Sequence, residues 1–296
     1  MIPTLLLLVS WLLLLAGPVA AADWPVRDSR EWTEVARFPA GGSTQALEVD
    51  NIFGSISVEA SRGDEVRLAA RETVRARNAA AVERARREVS LTFTEKRGAL
   101  RLIVDGPFRR PDGSLEWRND DYEVHYDIEL QVPEQVDVEL RTINAGDISV
   151  RGVSGDFVIS NVNGGIELLG VAGGGRLRTT NGGIELRFAD NPERPWSLKT
   201  LNGDLDVTFQ PRLAADLRFQ ASNGDVYTDF EVTPRRLPPP EPRRRGGKLV
   251  IRREHAFGAR VAAGGPEHRF ETLNGDVYIR RADAVEGRDK GKEVAR

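Results

Sequence analysis

Asn181-Gly182-Gly183-Ile184-Glu185-Leu186 recurs through the chain with small changes. Asn163-Gly164-Gly165-Ile166, Asn202-Gly203-Asp204-Leu205, Asn223-Gly224-Asp225-Val226 and Asn274-Gly275-Asp276-Val277 are close copies. Ala145-Gly146-Asp147-Ile148 and Phe53-Gly54-Ser55-Ile56 are looser ones. Two residues after the central Gly stand Ile56, Ile148, Ile166, Ile184, Leu205, Val226 and Val277. Four after stand Val58, Val150, Leu168, Leu186, Val207, Thr228 and Ile279, with mostly polar residues between. Such alternation marks a strand with one buried face. Five residues before the Gly the column reads Val49, Ile159, Leu177, Leu198, Phe219 and Phe270. Arg141 breaks it, and an extra residue near Asn144 brings Leu140 into its place.

Each unit therefore reads strand, Asn-Gly bend, strand. The bend alone suggests a hairpin, since Asn-Gly tolerates positive φ. The spacing points elsewhere: the first three close steps are 18, 18 and 21 residues, and the next is again 21. Self-similarity at about 20 residues implies stacked units that cannot bury an apolar face alone. The expected fold is all-β: a single-domain parallel β-solenoid of roughly 18–21-residue rungs, spanning 46–280. The Asn column (Asn163, Asn181, Asn202, Asn223, Asn274) is expected to form a ladder of stacked amides.

Residues 1–22 carry no charged side chain and hold an apolar block, Leu5 to Leu15, followed by small residues to Ala22, the pattern of a cleaved secretory signal. That block is short of the roughly 20 residues a span requires. Export to the periplasm or cell surface is the expectation. The net charge of −3 gives no reason to invoke nucleic acid, and the absence of Cys excludes disulfides and thiolate metal sites. Residues 23–45 read as an irregular lead-in, with Trp24, Trp32 and Phe38 placed to cap an open end. One short helix is expected near 79–89, with Asn78 as its N-cap, Val82, Ala85 and Val89 facing in, and Arg84, Arg86 and Arg87 outward. Strands are expected at 89–93, 100–104 and 122–132. Residues 233–247, with Pro238-Pro239-Pro240 and Arg243-Arg244-Arg245, read as an exposed loop, and 281–296 as a disordered charged tail.

The chemistry-bearing positions are few. His125, His255 and His268 are scattered, and the aspartates after the Gly lack the spacing of a calcium-binding repeat, so neither metal nor cofactor is implied. Glu167, Glu185 and Asp206 share one outward position in successive units, and carboxylates about 5 Å apart match a retaining glycosidase. Arg178 and Lys199 are the cations expected to pair with them. Tyr227 and Tyr278 occupy the same outward row and are candidate contact residues, as are Arg243, Arg244 and Arg245 for an anionic surface.

The strings Thr179-Thr180-Asn181-Gly182-Gly183-Ile184, Thr200-Leu201-Asn202-Gly203-Asp204-Leu205 and Thr272-Leu273-Asn274-Gly275-Asp276-Val277, behind a signal, resemble the bacterial "putative adhesin" β-strand-repeat family. The resemblance covers roughly Ala46 to Arg280. It implies an exported envelope protein and supplies no catalytic residues. The expected function is a non-catalytic envelope scaffold whose partner is an envelope glycan, an anionic surface or another envelope protein. The alternatives are a carbohydrate-active enzyme using the carboxylate row and a self-associating structural element.

Overall fold

The computed structural model describes residues 24–38, 45–96, 98–110, 114, 116, 121–237, 243–245, 248–250 and 256–283. The signal reading of 1–22 and the tail beyond 283 lie outside them. The chain begins with β1 (Val26–Arg37). β2 (Ala46–Asp50) and β3 (Ile56–Ser61) flank Gly54, and β4 (Glu65–Ala76) leads to the helix α1 (Ala79–Glu88). β5 (Ser90–Lys96), β6 (Ala99–Asp105) and β7 (Tyr122–Pro133) follow. The repeats then supply β8 (Asp137–Arg141), β9 (Ile148–Arg151), β10 (Ser154–Ser160), β11 (Ile166–Arg178), β12 (Ile184–Phe188), β13 (Trp196–Lys199), β14 (Leu205–Phe209), β15 (Ala215–Asn223) and β16 (Val226–Thr228). The remainder holds β17 (Val232–Arg235), β18 (Arg243–Arg245), β19 (Lys248–Val250), β20 (Phe257–Val261), β21 (Glu267–Asn274) and β22 (Val277–Arg281).

The parallel β-solenoid expected from the repeats is not the fold. Twenty strands form one curled sheet of mixed direction, a half-barrel, with β18 and β19 paired separately. Two ladders make it up. The first runs β1-β4-β7-β3-β9-β11-β12-β14-β22-β16, antiparallel at β1–β4 and β4–β7 and parallel thereafter. The second runs β5-β6-β2-β8-β10-β11-β13-β21-β15-β20-β17, parallel in its middle and antiparallel at β5–β6, β15–β20 and β17–β20. β11 belongs to both: Ile166 to Val171 pairs in the first ladder and Ala172 to Arg178 chiefly in the second.

The physical reason for the mixed direction lies outside the repeats. β1, β4 and β7 are 12 residues each, and the β5–β6 connection is a short turn. Of the antiparallel pairs among these strands only β5–β6 is such a direct turn. β4 runs against β1 and β7 because just residues 62–64 join it to β3, reversing the chain, whereas parallel neighbours need a crossover. The lead-in is likewise strand rather than irregular: Val26 lies opposite Ala76 and Arg37 opposite Glu65. Trp32 meets Tyr126 edge-on at 6.1 Å.

Within the repeats, neighbours do pair in parallel, with Ile166 beside Ile184 and Leu177 beside Leu198. The column Ile128, Ile56, Ile148, Ile166, Ile184, Leu205, Val277 faces a common interior and is buried throughout. Each such side chain contributes about 1.5–3 kcal/mol of burial. Leu140 pairs with Val49 and Ile159, so the extra residue does restore the column; Ala145, at φ 55°, absorbs it. The Gly224 repeat does not follow the Gly203 repeat in space. The last repeat inserts between them, so β13 and β14 meet β21 and β22, which in turn meet β15 and β16.

Close backbone approach and a set of side-chain hydrogen bonds fix the bends. A Cβ on Gly182 would lie 2.2 Å from the Gly164 carbonyl oxygen, and one on Gly224, which lacks a positive φ, 1.9 Å from that of Gly275. Close approach, more than turn conformation, therefore demands glycine. Three residues earlier, Thr179, Thr200 and Thr272 donate to the carbonyls of Gly164, Gly182 and Gly203 at 2.8, 2.9 and 3.1 Å. The amide ladder runs Asn144, Asn163, Asn181, Asn202, Asn274, Asn223 at 2.7–2.8 Å. Asp147, Asp204 and Asp276 each accept the amide N–H of Gly165, Asp276 and Asp225 on the neighbouring bend, which is their structural role.

Asn78 caps α1 by accepting from the Ala81 amide at 2.9 Å, and Ala81, Val82 and Ala85 are buried. The opposite face is held by ion pairs: Arg84 meets Asp121, and Arg86 meets Asp28 and the buried Glu72. No helix among the described residues is long and apolar enough to cross a membrane.

Candidate binding face

Three residues after each central Gly, side chains point out of the first ladder. In spatial order this row reads Glu129, Ser57, Ser149, Glu167, Glu185, Asp206, Tyr278, Tyr227. The structure thus brings together all five row residues expected from the sequence, with Tyr278 before Tyr227 because of the inserted repeat.

Glu167, Glu185 and Asp206 each have their own cation. Arg151 reaches Glu167 at 2.6 Å, Arg187 reaches Glu185 at 2.9 Å, and Arg280 grips Asp206 with its Nε at 2.7 and 2.9 Å from the two oxygens. The expected partners, Arg178 and Lys199, are not involved. They lie side by side on the second ladder, where Lys199 pairs with Glu271. The true partners were visible in the repeat: Arg151, Arg187 and Arg280 all stand five residues after a central Gly. That is two beyond the row, on the same face of the strand.

The two tyrosines stack with ring centroids 5.1 Å apart and planes 10° from parallel. The Arg280 guanidinium lies 4.9 Å from the Tyr278 ring centroid. Because Arg280 is also bound to Asp206 of β14, it covers the Tyr278 face turned away from Tyr227. Tyr227 sits on β16, whose one paired strand among the described residues is β22, and is 49% exposed. Among the described residues its outer ring face is therefore open. The Tyr278 hydroxyl donates to Asp276 at 3.0 Å, and that bond holds its pKa above the ordinary phenol value. The charge of Asp225, then that of Asp276, does the same for Tyr227. Both hydroxyls are protonated donors at neutral pH.

Arg243, Arg244 and Arg245 form β18, antiparallel to β19. The start of the 233–247 segment expected as an exposed loop is instead strand, since β17 (Val232–Arg235) runs into it and pairs with β20. Arg235 also bonds Glu267 at 2.8 Å.

No protein-family description matches the chain, and no curated protein matches it. Similar solved structures include a "putative cell adhesion protein" from Clostridium sporogenes, 10% identical, with 86% of this chain and 100% of that one covered at a TM-score of 0.37. A "putative adhesin" from Bacteroides fragilis is 12% identical, with 85% and 97% covered at 0.33. A "putative lipid binding protein" from Parabacteroides distasonis is 8% identical, with 85% and 96% covered at 0.30. At these distances the chain's own residues carry the functional reading.

Proposed function

We propose that this chain is an exported, non-catalytic binding scaffold of the cell envelope, and that it holds a glycan against the Tyr227–Tyr278 stack. The carrying observation is the open outer ring face of Tyr227, backed by a second ring and a guanidinium. An aromatic face braced from behind presents rigid apolar area at small entropic cost, while its hydroxyl serves as a polar handle. Sugar rings carry C–H faces suited to such a platform, and Asp225 beside it accepts from sugar hydroxyls. Export rests on the signal-like residues 1–22. A scaffold role is favoured over hydrolysis because Glu167, Glu185 and Asp206 each hold an arginine rather than face an open cleft.

The test is an envelope-glycan array probed with the mature protein. Tyr227→Ala is expected to weaken the best ligand about tenfold or more. The triple variant Glu167→Ala, Glu185→Ala, Asp206→Ala keeps binding. Release of reducing ends by the native chain, abolished in the triple variant, would establish an enzyme instead.

A further inference from the structure

The second ladder has outward rows of its own. Four residues before the Gly (five at Arg141) the row reads Asp50, Arg141, Ser160, Arg178, Lys199, Glu271, Gln220. Two residues earlier it reads Glu48, Glu139, Val158, Arg176, Ser197, Arg269, Arg218. Toward the ends of this face the cations are matched. Arg109 holds Asp50 at 2.9 Å, Arg101 holds Glu48 at 2.6 Å, Arg269 holds Glu267 at 2.9 Å, and Lys199 meets Glu271.

The middle is different. Arg141, Arg176 and Arg178 are exposed and take no carboxylate among the described residues. Arg141 and Arg178 flank Ser160, and Arg176 lies beside Val158 and lines a groove of about 580 Å³ together with Asp156, Trp196, Ser197, Glu267 and Arg269. Two carboxylates temper the patch: Asp156 is held by Arg194 at 2.6 Å, and Glu139 lies on the Arg101 side.

We propose that this face binds a linear acidic polysaccharide bearing one carboxylate per disaccharide, lying across the strands over Arg141, Ser160 and Arg178. Three guanidinium groups held together with no carboxylate bound to any of them repel one another, and an anion relieves that repulsion. The guanidinium fork matches a carboxylate with two parallel hydrogen bonds. Arg141 and Arg178 flank Ser160, so they stand two strand spacings apart, about 10 Å, which is comparable to a disaccharide length. Ser160 between them and Ser197 beside them offer hydroxyls to the intervening uncharged sugar. A lipid surface fits less well, because interfacial binding needs a broad apolar face. On β8, β10, β11 and β13, Val158 is the one exposed large apolar side chain among the described residues.

The test uses the mature protein and a hyaluronan octasaccharide, with its carboxyl-reduced form, phosphatidylglycerol vesicles and a DNA duplex as further arms. The triple variant Arg141→Gln, Arg176→Gln, Arg178→Gln is set against the charge-matched Arg62→Gln, Arg87→Gln, Arg212→Gln. The octasaccharide is expected to bind at low salt, about tenfold or more weaker in the first variant and within about twofold of native in the second. The carboxyl-reduced form should not bind. No octasaccharide binding, equal loss in both variants, or a preference for vesicles or DNA would each overturn the proposal. Thermal melts of both variants establish that folding is intact. The face is separate from the tyrosine platform, and Tyr227→Ala should leave octasaccharide binding unchanged.

Discussion

The two outward faces cross many of the same parallel repeats yet carry charge in opposite ways. On the first ladder, Glu167, Glu185 and Asp206 are neutralised by arginines two residues further along the repeat, leaving the aromatic pair as the distinctive feature. On the second, Arg141, Arg176 and Arg178 keep their charge free. The backbone period decides where a side chain points. The residue at the next register position decides whether its charge is cancelled or remains available to a partner.

The largest expected effect is one that removes the comparison altogether. Both faces are built on strands joined at the Gly182 bend, where any Cβ meets the Gly164 carbonyl at 2.2 Å. Gly182→Ala should cost about 3 kcal/mol or more, measured by denaturant unfolding, and weaken binding on both faces together. Native-like stability in that variant would contradict the close stacking of the bends.

A smaller effect separates the ladders by pH. His268 on β21 is fully buried beneath the second ladder, packed 5.5 Å from Phe209, with its Nδ1 accepting from the Trp196 amide at 3.3 Å. Burial pushes its pKa down from 6.5 to about 4. A histidine with a depressed folded-state pKa binds its proton first in the unfolded chain. Its contribution is therefore complete above about pH 6.5 and is lost as pH falls toward 4, on the order of 3 kcal/mol in all. Unfolding measured across that range should show the slope in the native chain and a shallower one in His268→Gln. An unchanged slope would assign the pH dependence to the carboxylates instead.

Arg187→Ala should do least. It frees Glu185, but the pair is 49% and 40% exposed, and its loss should cost less than about 0.5 kcal/mol. A melt showing a much larger loss would mean that the first face depends structurally on its ion pairs.

Much of the repeat region was legible in the sequence. Alternation about each Gly fixed which side chains face inward, and the recurring position three residues on aligned Glu167, Glu185, Asp206 and the tyrosines. What alternation cannot encode is an address. Leu205 and Val226 are both suited to neighbour Val277, and nothing local says that the last repeat belongs between the Gly203 and Gly224 repeats. β1 was missed because it is exposed on most positions of both faces, so it shows no period. Its strand character comes from pairing with β4, a partner far along the chain. The cations for the carboxylate row were misassigned because Arg178 and Lys199 look near in sequence, yet the Asn-Gly bend carries them to the other ladder. Direction failed where repeats were absent: 122–132 read correctly as a strand but not as the antiparallel partner of β4, and β4 itself (Glu65–Ala76) was not read as a strand at all.

The inserted final repeat sets the order in which the molecule can be completed. Residues 215–228 emerge before 267–281, yet their parallel neighbours are those later residues. The strands made last therefore slot between strands made earlier, and this end of the domain closes from within. A chain stopped anywhere between 228 and 267 strands two repeats instead of one, and assembly must await the far end of translation.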